Sequence, residues 1–199
     1  MEKELRYSVL DTETLTFNDE ARSIEGYAIL FNSKSEILGG PDGFVEVIEN
    51  RALDGVDLSD VFLLYNHNYD EVLGSTKSGT MSTQVTSRGL WFRSTLPDTT
   101  RGRDTYTLIK RGDLSGMSFA FTVSDDKWNV RATPAERTIK SIGSVDEISI
   151  VPRPAYSETV VSARSIETKN KAVECINCAD SSNKFAEEAR KILKEIQND

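Results

Sequence analysis

Short alternations of apolar and polar residues recur along the chain and predict a structure built mainly of β-strands. The clearest alternation covers residues 117–123, where every second residue is large and apolar and the residues between them are small. Successive side chains of a strand point to opposite faces of a sheet. We therefore expect one face of this strand to lie against a core, and Ser118 to lie on the opposite, uncrowded face.

Other segments carry weaker strand patterns of the same kind. Residues 61–68 are apolar at first and polar at their end, as expected for a buried strand that emerges at its C-terminal end beside His67. In residues 145–151, Glu147 and Ser149 are predicted to share one face, with Asp146 on the other. The remaining predicted strands are 22–31 with a bulge at Gly26, 44–48, 72–76, 80–86, 89–96, and a hairpin of 128–130 with 138–142.

Two helices are predicted, and the second one follows a change in composition. Residues 98–111 have a capping residue at Asp98 and a stop at Gly112. After residue 164 the chain becomes polar, and 165–183 is interpreted as a linker. Residues 184–199 place their apolar side chains on one stripe of an amphipathic helix. The predicted organisation is a domain over 1–164, a linker over 165–183 and a C-terminal helix over 184–199.

Charge and composition exclude several classes of function. The 199 residues carry a formal net charge of −8, which disfavours nucleic acid as a partner because phosphate binding needs a basic surface. The first residues are charged, so we expect neither a signal peptide nor a membrane span. Cys175 and Cys178 form one Cys-x-x-Cys, which offers at most half of the four ligands of a structural zinc site, so a zinc role would need a second chain. No cofactor and no metal are predicted.

The residue types permit a serine hydrolase without requiring one. Such an enzyme needs a nucleophile, a base and a group that orients the base. His67 is the chain's single histidine and hence the candidate base. Ser118, with Ser115 nearby, offers a nucleophile, and Glu147, with Asp146 beside it, offers the orienting carboxylate. A surface histidine and ordinary structural serines remain the plainer interpretation of the same residues.

A series of short motifs, in order along residues 22–164, resembles the prohead serine proteases of tailed bacteriophages. The individual motifs are not specific, but their ordered set is. The motifs are Gly26-Tyr27-Ala28 with Phe31, Glu46-Val47-Ile48, Tyr65-Asn66-His67-Asn68, Leu73-Gly74, Gly89-Leu90-Trp91-Phe92, Gly112-Asp113-Leu114-Ser115-Gly116-Met117-Ser118-Phe119-Ala120-Phe121, Asp146-Glu147-Ile148-Ser149-Ile150-Val151 and Pro154-Ala155-Tyr156.

The resemblance implies a fold and an activity. The expected fold is mainly β with flanking helices (α+β), as a closed antiparallel β-barrel similar to that of herpesvirus assemblins. The expected activity is a serine endopeptidase that cleaves scaffolding protein, or the scaffolding segment of the major capsid protein, and itself. The expected partners are therefore these capsid and scaffolding proteins and, by likeness to assemblins, a second copy in a homodimer. The expected location is the host cytoplasm, inside the immature capsid.

The resemblance also assigns roles to residues. His67 is implied as the base, Ser118 as the nucleophile and Glu147 as the group that orients the imidazole. Ser115 and Asp146 are the rival nucleophile and acid. Main-chain N–H groups or Arg153 are candidate donors to the oxyanion. Two other functions stay open: a non-catalytic assembly factor that binds capsid or scaffold through the C-terminal helix, and a plain β-barrel binding module. The C-terminal tail is expected either to bind scaffold or to be removed by self-cleavage.

Overall fold

The structure is a computed structural model that describes residues 3–9, 16–40 and 43–152. The predicted linker and C-terminal helix therefore lie outside the described residues, as do Arg153, Cys175 and Cys178. The described elements are β1 Lys3–Val9, β2 Thr16–Asn18, β3 Ser23–Leu30, β4 Phe44–Ile48, β5 Phe62–Tyr65, β6 Asn68–Ser75, β7 Met81–Val85, β8 Gly89–Thr95, α1 Thr100–Arg111, β9 Gly116–Asn129 and β10 Ala135–Val151.

The strands form two sheets with an apolar core between them. The large sheet has the strand order β1-β9-β10-β5-β6, with β4 added alongside β10, and the small sheet has the order β2-β3-β8-β7. Met117, Phe119 and Phe121 of β9 point into the core, as their alternation predicts, and they meet Leu90 and Phe92 of the small sheet in one buried cluster. The expected core face of this strand is confirmed.

The expected closed antiparallel barrel is wrong. Among the described residues, β1 and β6 are the two edges of the large sheet and do not pair, so the sheet is a curled half-barrel. It is also not wholly antiparallel, because β10 pairs in parallel with both β4 and β5. Within residues 3–9, 16–40 and 43–152 the fold is mainly β with one helix, and this class agrees with the prediction. The likeness to assemblins stays a prediction.

The curl of the large sheet follows from its two long strands. β9 and β10 form one hairpin whose register shifts at four places, and such bulges increase the local twist. Glu4 of β1 is the Cα partner of Phe121 on β9, whereas Arg137 of β10 is the Cα partner of Trp128, seven residues farther along β9. At ~3.3 Å per residue, Glu4 and Arg137 of a flat sheet would be about 20 Å apart along the strand direction. Yet Arg137 Nη1 lies 2.6 Å from Glu4 Oε2, so the sheet must bend round.

A buried ion-pair network occupies the inside of this bend. Arg6 contacts Glu4 and also donates from Nε to Glu46 Oε1 at 2.6 Å. Arg137 donates to Glu4, to Glu46 Oε2 at 3.0 Å and to Asp126 Oδ2 at 2.6 Å. Four of the five side chains are at most 7% exposed. Three carboxylates thus share two guanidinium groups, and these ion pairs link β1 to β4 and β10.

Replacing Arg137 by alanine is expected to lower the free energy of unfolding by about 3–5 kcal/mol, because removing one partner leaves buried carboxylates uncompensated. Chemical denaturation of the full chain measures this change. Arg131→Ala is the matched control, since Arg131 lies exposed between β9 and β10, and it should change stability by less than about 0.5 kcal/mol. Equal losses in the two variants would contradict a stabilising role for the network.

Several boundaries differ from the prediction for local reasons. The helix begins at Thr100, two residues later than expected, and its N-cap is Thr99 rather than Asp98. The Thr99 side chain accepts from the Gly102 N–H, and the stop at Gly112 is confirmed. The bulge in β3 lies at Ala28, where the register with β8 shifts, and not at Gly26. The expected strand over 61–68 is a hairpin of β5 and β6 instead.

Candidate functional site

His67 lies in the two-residue turn between β5 and β6. The φ angles of Asn66 and His67 are 51° and 59°, which is the left-handed pair that a type I′ hairpin turn requires. A non-glycine residue in this region costs ~1–2 kcal/mol. The turn is held against β10, since the Asn66 N–H donates to the Ile150 carbonyl at 3.0 Å and the His67 N–H donates to Ser149 Oγ at 3.1 Å. Contacts to β10 therefore fix the position of the histidine.

The hairpin that carries His67 is also held from the helix side. Arg101 at the start of α1 donates to both carboxylate oxygens of Glu71 on β6, at 2.7 and 2.9 Å. Its guanidinium lies 4.7 Å from the ring centroid of Tyr65, the last residue of β5. Hydrogen bonding to Arg101 lowers the pKa of the Glu71 carboxyl, so the pair stays ionised near neutral pH. Both strands of the hairpin are thereby tied to α1.

Glu147 on β10 contacts the imidazole of His67. Its Oε1 lies 2.6 Å from His67 Nδ1, and its Oε2 accepts from Ser149 Oγ at 2.5 Å. The Glu147 side chain is 2% exposed and that of His67 is 17% exposed. Since a carboxylate accepts hydrogen bonds, the geometry assigns the imidazole proton to Nδ1 and leaves Nε2 as the basic nitrogen of the neutral ring. This is the arrangement that a general base needs.

Ser149 links the turn that carries His67 to the carboxylate of Glu147. Its hydroxyl accepts from the His67 main chain and donates to the Glu147 carboxylate, and the residue is completely buried. One side chain therefore positions both the turn that carries the base and the acid that orients it.

Ser118 lies on the same face of the large sheet, one strand away. It is the Cα partner of Ser149, and Ala120 is the partner of Glu147, so all four share the face opposite the core. Diagonal neighbours across two strands are ~7–8 Å apart, which places Ser118 and Glu147 at such a separation. Ser118 is completely buried, and its hydroxyl donates to the main-chain carbonyl of Arg6 at 2.8 Å. The serine proton is thus directed to β1 in this conformation and not to His67.

The rival residues Ser115 and Asp146 differ from Ser118 and Glu147 in their positions and contacts. Ser115 lies in the connection between α1 and β9, outside the face that holds Ser149. Asp146 occupies a bulge, where the register skips from Val145 to Glu147, and its carboxylate contacts Lys3 Nζ at 2.6 Å. Hydrogen bonding to Asp146 raises the pKa of the Lys3 ammonium. The same bulge puts Val145 in the core, whereas an unbroken alternation would put it on the face of Glu147.

Two features of the site were not predicted from the sequence. Ser149 was recognised as facing the same way as Glu147, but nothing in the residue pattern indicated its two hydrogen bonds. Strand β1 was missed because its buried residues, Glu4 and Arg6, are charged while the alternate residues Leu5 and Tyr7 are apolar. The alternation of charged and apolar residues was the sequence feature from which this strand could have been predicted.

The described part of the chain contains neither a candidate metal site nor a candidate membrane-spanning helix. Across residues 3–9, 16–40 and 43–152, the His, Cys, Asp and Glu side chains form no group that could hold a metal ion. No described helix is long and apolar enough to cross a membrane.

Comparison with known proteins gives one family and one solved structure. Residues 8–172 match the family model described as caudovirus prohead serine protease. No curated protein sequence matches the chain. Among solved structures, the bacteriophage T4 capsid assembly protease gp21 is similar over 76% of this chain and 99% of its own, with 10% sequence identity and a TM-score of 0.39.

Proposed function

Because residues 8–172 match its model, the chain belongs to the caudovirus prohead serine protease family, and we propose that it cuts peptide bonds with Ser118, His67 and Glu147. The observation that carries the proposal is the 2.6 Å contact between Glu147 Oε1 and His67 Nδ1. It orients the chain's single histidine on the face that also holds Ser118. The resemblance identified from the sequence assigned the same three residues.

In the proposed mechanism the Ser118 hydroxyl attacks the carbonyl carbon of the scissile bond. His67 Nε2 takes the serine proton as the new C–O bond forms, and it returns that proton to the nitrogen of the leaving amine when the C–N bond breaks. Glu147 keeps the other imidazole proton on Nδ1 and stabilises the imidazolium. A water molecule, activated by the same histidine, then hydrolyses the acyl-enzyme. General-base assistance of this kind contributes about 10²–10⁴-fold.

The proposed substrates are the scaffolding protein or the scaffolding segment of the major capsid protein, and the protease itself. This follows from the role of the family in the prohead, where the enzyme would act inside the immature capsid within the host cell. The proposed organisation keeps a protease domain over 1–164, a linker over 165–183 and a C-terminal helix over 184–199, with the tail as a scaffold-binding or self-cleaved segment. A homodimer remains part of the proposal.

Co-expression with the capsid and scaffolding proteins of the neighbouring genes tests the proposed cleavage activity. Mass spectrometry should detect new N- and C-termini in the capsid or scaffolding protein when the wild-type chain is present, and no new termini when the His67→Ala variant is present. Cleavage that survives His67→Ala would exclude the mechanism. The same experiment addresses the tail: an intact tail in an active enzyme would exclude self-processing of that segment.

A non-catalytic assembly factor is the alternative, and one observation favours it. The Ser118 hydroxyl is buried and donates to Arg6 in this conformation, as a structural serine would. This alternative predicts that the chain binds capsid or scaffolding protein without cutting it. It also predicts that a fluorophosphonate, which phosphonylates activated serines with loss of fluoride, leaves Ser118 unlabelled under every condition.

Replacing Ser149 by alanine is expected to lower kcat by about 10–100-fold with little change in KM. The reason is the loss of a hydrogen bond to a charged group, worth ~1.5–3 kcal/mol, which leaves one oxygen of the buried Glu147 carboxylate without a donor. Steady-state kinetics on a capsid-derived peptide measure both constants. Ser149→Thr keeps the hydroxyl and should restore most of kcat; a threonine variant as slow as the alanine variant would argue against positioning through that group.

A further inference from the structure

Exposed hydrophobic side chains lie on the hairpin whose turn carries His67. Tyr69 and Val72 of β6 are 53% and 43% exposed. Phe62 of β5 is half-buried, and its ring centroid lies 5.9 Å from that of Tyr69 at an interplanar angle of 69°. None of the three belongs to the apolar core between the two sheets. Together they form a surface that we call the β5–β6 patch.

The β5–β6 patch faces the same way as the candidate site. Phe62 is the Cα partner of Glu147. Leu64 pairs with Ser149 on one side and with Val72 on the other. Residues that lie opposite each other on adjacent strands point to the same face of a sheet. The patch and the candidate site therefore share the face of the large sheet that is opposite the core.

Tyr69 reaches this face from a bulge in β6. The pairing of the hairpin leaves residues 69–71 as extra residues between two adjacent positions of β5. Such bulges change the direction of a side chain and are frequent beside active sites. Partial burial raises the pKa of the Tyr69 phenol, while the Lys3 ammonium lowers it and the Glu147 carboxylate raises it. The phenol is thus close enough to the acid of the candidate triad to sense its charge.

The proposed mechanism determines which part of a substrate meets the patch. His67 returns its proton to the leaving amine, so the segment that follows the scissile bond must lie on the histidine side of Ser118. The patch is on that side, because β10 separates β9 from β5 and β6 lies beyond β5. Adjacent strands are ~4.8 Å apart, so Phe62 on β5 is about 10 Å from β9, which about three extended residues span.

We propose that the β5–β6 patch is a substrate-binding site that accepts an apolar side chain from one of the first three residues after the scissile bond. This inference rests on the proposed function and adds a specificity for the leaving segment. Single exposed hydrophobic residues are common on protein surfaces, whereas contiguous ones mark binding sites. The three side chains of the patch are contiguous and adjoin the residues that would perform the reaction.

The surroundings of the patch favour an apolar occupant over a charged one. The nearby Asp146 carboxylate and Lys3 ammonium are already paired at 2.6 Å. A charged side chain over the rings of Phe62 and Tyr69 would lose hydration without gaining an unpaired partner from these two groups. An apolar side chain would instead remove its own surface and that of the patch from water.

Cleavage of paired peptides tests the proposal. The wild-type chain is first co-expressed with the capsid and scaffolding proteins, and mass spectrometry identifies the bond that it cuts. Peptides that span this bond are then made with the apolar residue after the scissile bond either kept or replaced by serine. The value of kcat/KM is measured for both peptides with the wild-type full chain and with its Tyr69→Ala variant.

We expect the wild-type chain to cut the serine peptide at least about tenfold more slowly than the apolar peptide, the usual effect of removing an apolar group from a specificity pocket. Tyr69→Ala should slow cleavage of the apolar peptide by a similar factor and leave that of the serine peptide nearly unchanged. The two losses are not additive, because the change in the peptide and the change in the protease remove the same contact.

Three results would overturn the patch proposal while the proposed function stands. They are a cleavage site with no apolar residue among the first three after the scissile bond, equal wild-type rates on the two peptides, and equal losses on both peptides in Tyr69→Ala. The last result would mean that Tyr69 shields the Glu147 carboxylate from water instead of contacting substrate. If the wild-type chain cuts no bond, the proposed function fails and this inference fails with it.

Val72→Ser and Val85→Ser provide a matched pair of variants. The two valines are 43% and 40% exposed, but Val85 lies on β7 of the small sheet. Substitutions at exposed positions change stability little, so both variants should fold. Val72→Ser should lower kcat/KM on the apolar peptide several-fold, and Val85→Ser should leave both peptides unaffected. Equal effects of the two substitutions would exclude Val72 from the substrate-binding site and overturn the patch as proposed.

Discussion

Replacing Ser118 by alanine is expected to abolish cleavage of the co-expressed capsid and scaffolding proteins, with a loss of kcat on the order of 10⁶-fold, the effect of removing the serine of a known triad. The reason is that no other hydroxyl of the described chain has the same place on the face that holds Glu147 and Ser149. The variant should remain folded. The Ser118 hydroxyl donates its described hydrogen bond to the Arg6 carbonyl, and the loss of such a bond lowers the free energy of unfolding by only ~0.5–1.5 kcal/mol.

Ser115→Ala is the matched control for this prediction. Ser115 lies three residues before Ser118, in the connection that leads into β9, and its substitution should leave cleavage unchanged. Fluorophosphonate labelling followed by peptide mass spectrometry identifies the phosphonylated serine directly. A label on Ser115, or cleavage that is lost in Ser115→Ala and kept in Ser118→Ala, would assign the nucleophile to the rival residue.

The sequence predicted the parts of the fold that depend on alternation and local capping. The core face of β9 follows from large apolar side chains at every second position, and the end of α1 follows from the left-handed conformation that Gly112 adopts. Glu147 and Ser149 were placed on one face by the same period, and that prediction is confirmed through their pairing with Ala120 and Ser118. These features depend on neighbours within a few residues, so a single sequence contains them.

Features that depend on distant pairing could not be predicted in this way. The curl of the large sheet comes from β-bulges in a hairpin that the sequence divided into shorter strands, because polar residues such as Asp125 and Lys140 interrupt the apolar pattern. Strand β1 was hidden because its buried face is charged, and charged residues normally predict an exposed face. The bond from Ser118 to Arg6 spans 112 residues of sequence. A strand that covers the candidate nucleophile is visible only once the sheet is assembled.

Replacing Glu147 by glutamine is expected to lower kcat by about 10⁴-fold, the effect of the equivalent acid-to-amide change in a known triad. The carboxylate accepts two hydrogen bonds, one from His67 Nδ1 and one from Ser149 Oγ. An amide has one oxygen and one NH₂ group. If the NH₂ faces His67, the imidazole must carry its proton on Nε2 and cannot take a proton from Ser118. If the NH₂ faces Ser149, the Ser149 hydroxyl loses its acceptor, and the turn that carries His67 is held less firmly.

Asp146→Asn separates this orienting effect from a general loss of negative charge. Asp146 lies next to Glu147 in the sequence, but its carboxylate contacts Lys3, whose side chain is 63% exposed. Exposed ion pairs contribute ~0–1 kcal/mol, so cleavage should be nearly unchanged in this variant. Steady-state kinetics on one capsid-derived peptide compare the two substitutions, which remove the same charge from adjacent residues. A larger loss in Asp146→Asn than in Glu147→Gln would make Asp146 the orienting acid, and the 2.6 Å contact of Glu147 with His67 would then be structural.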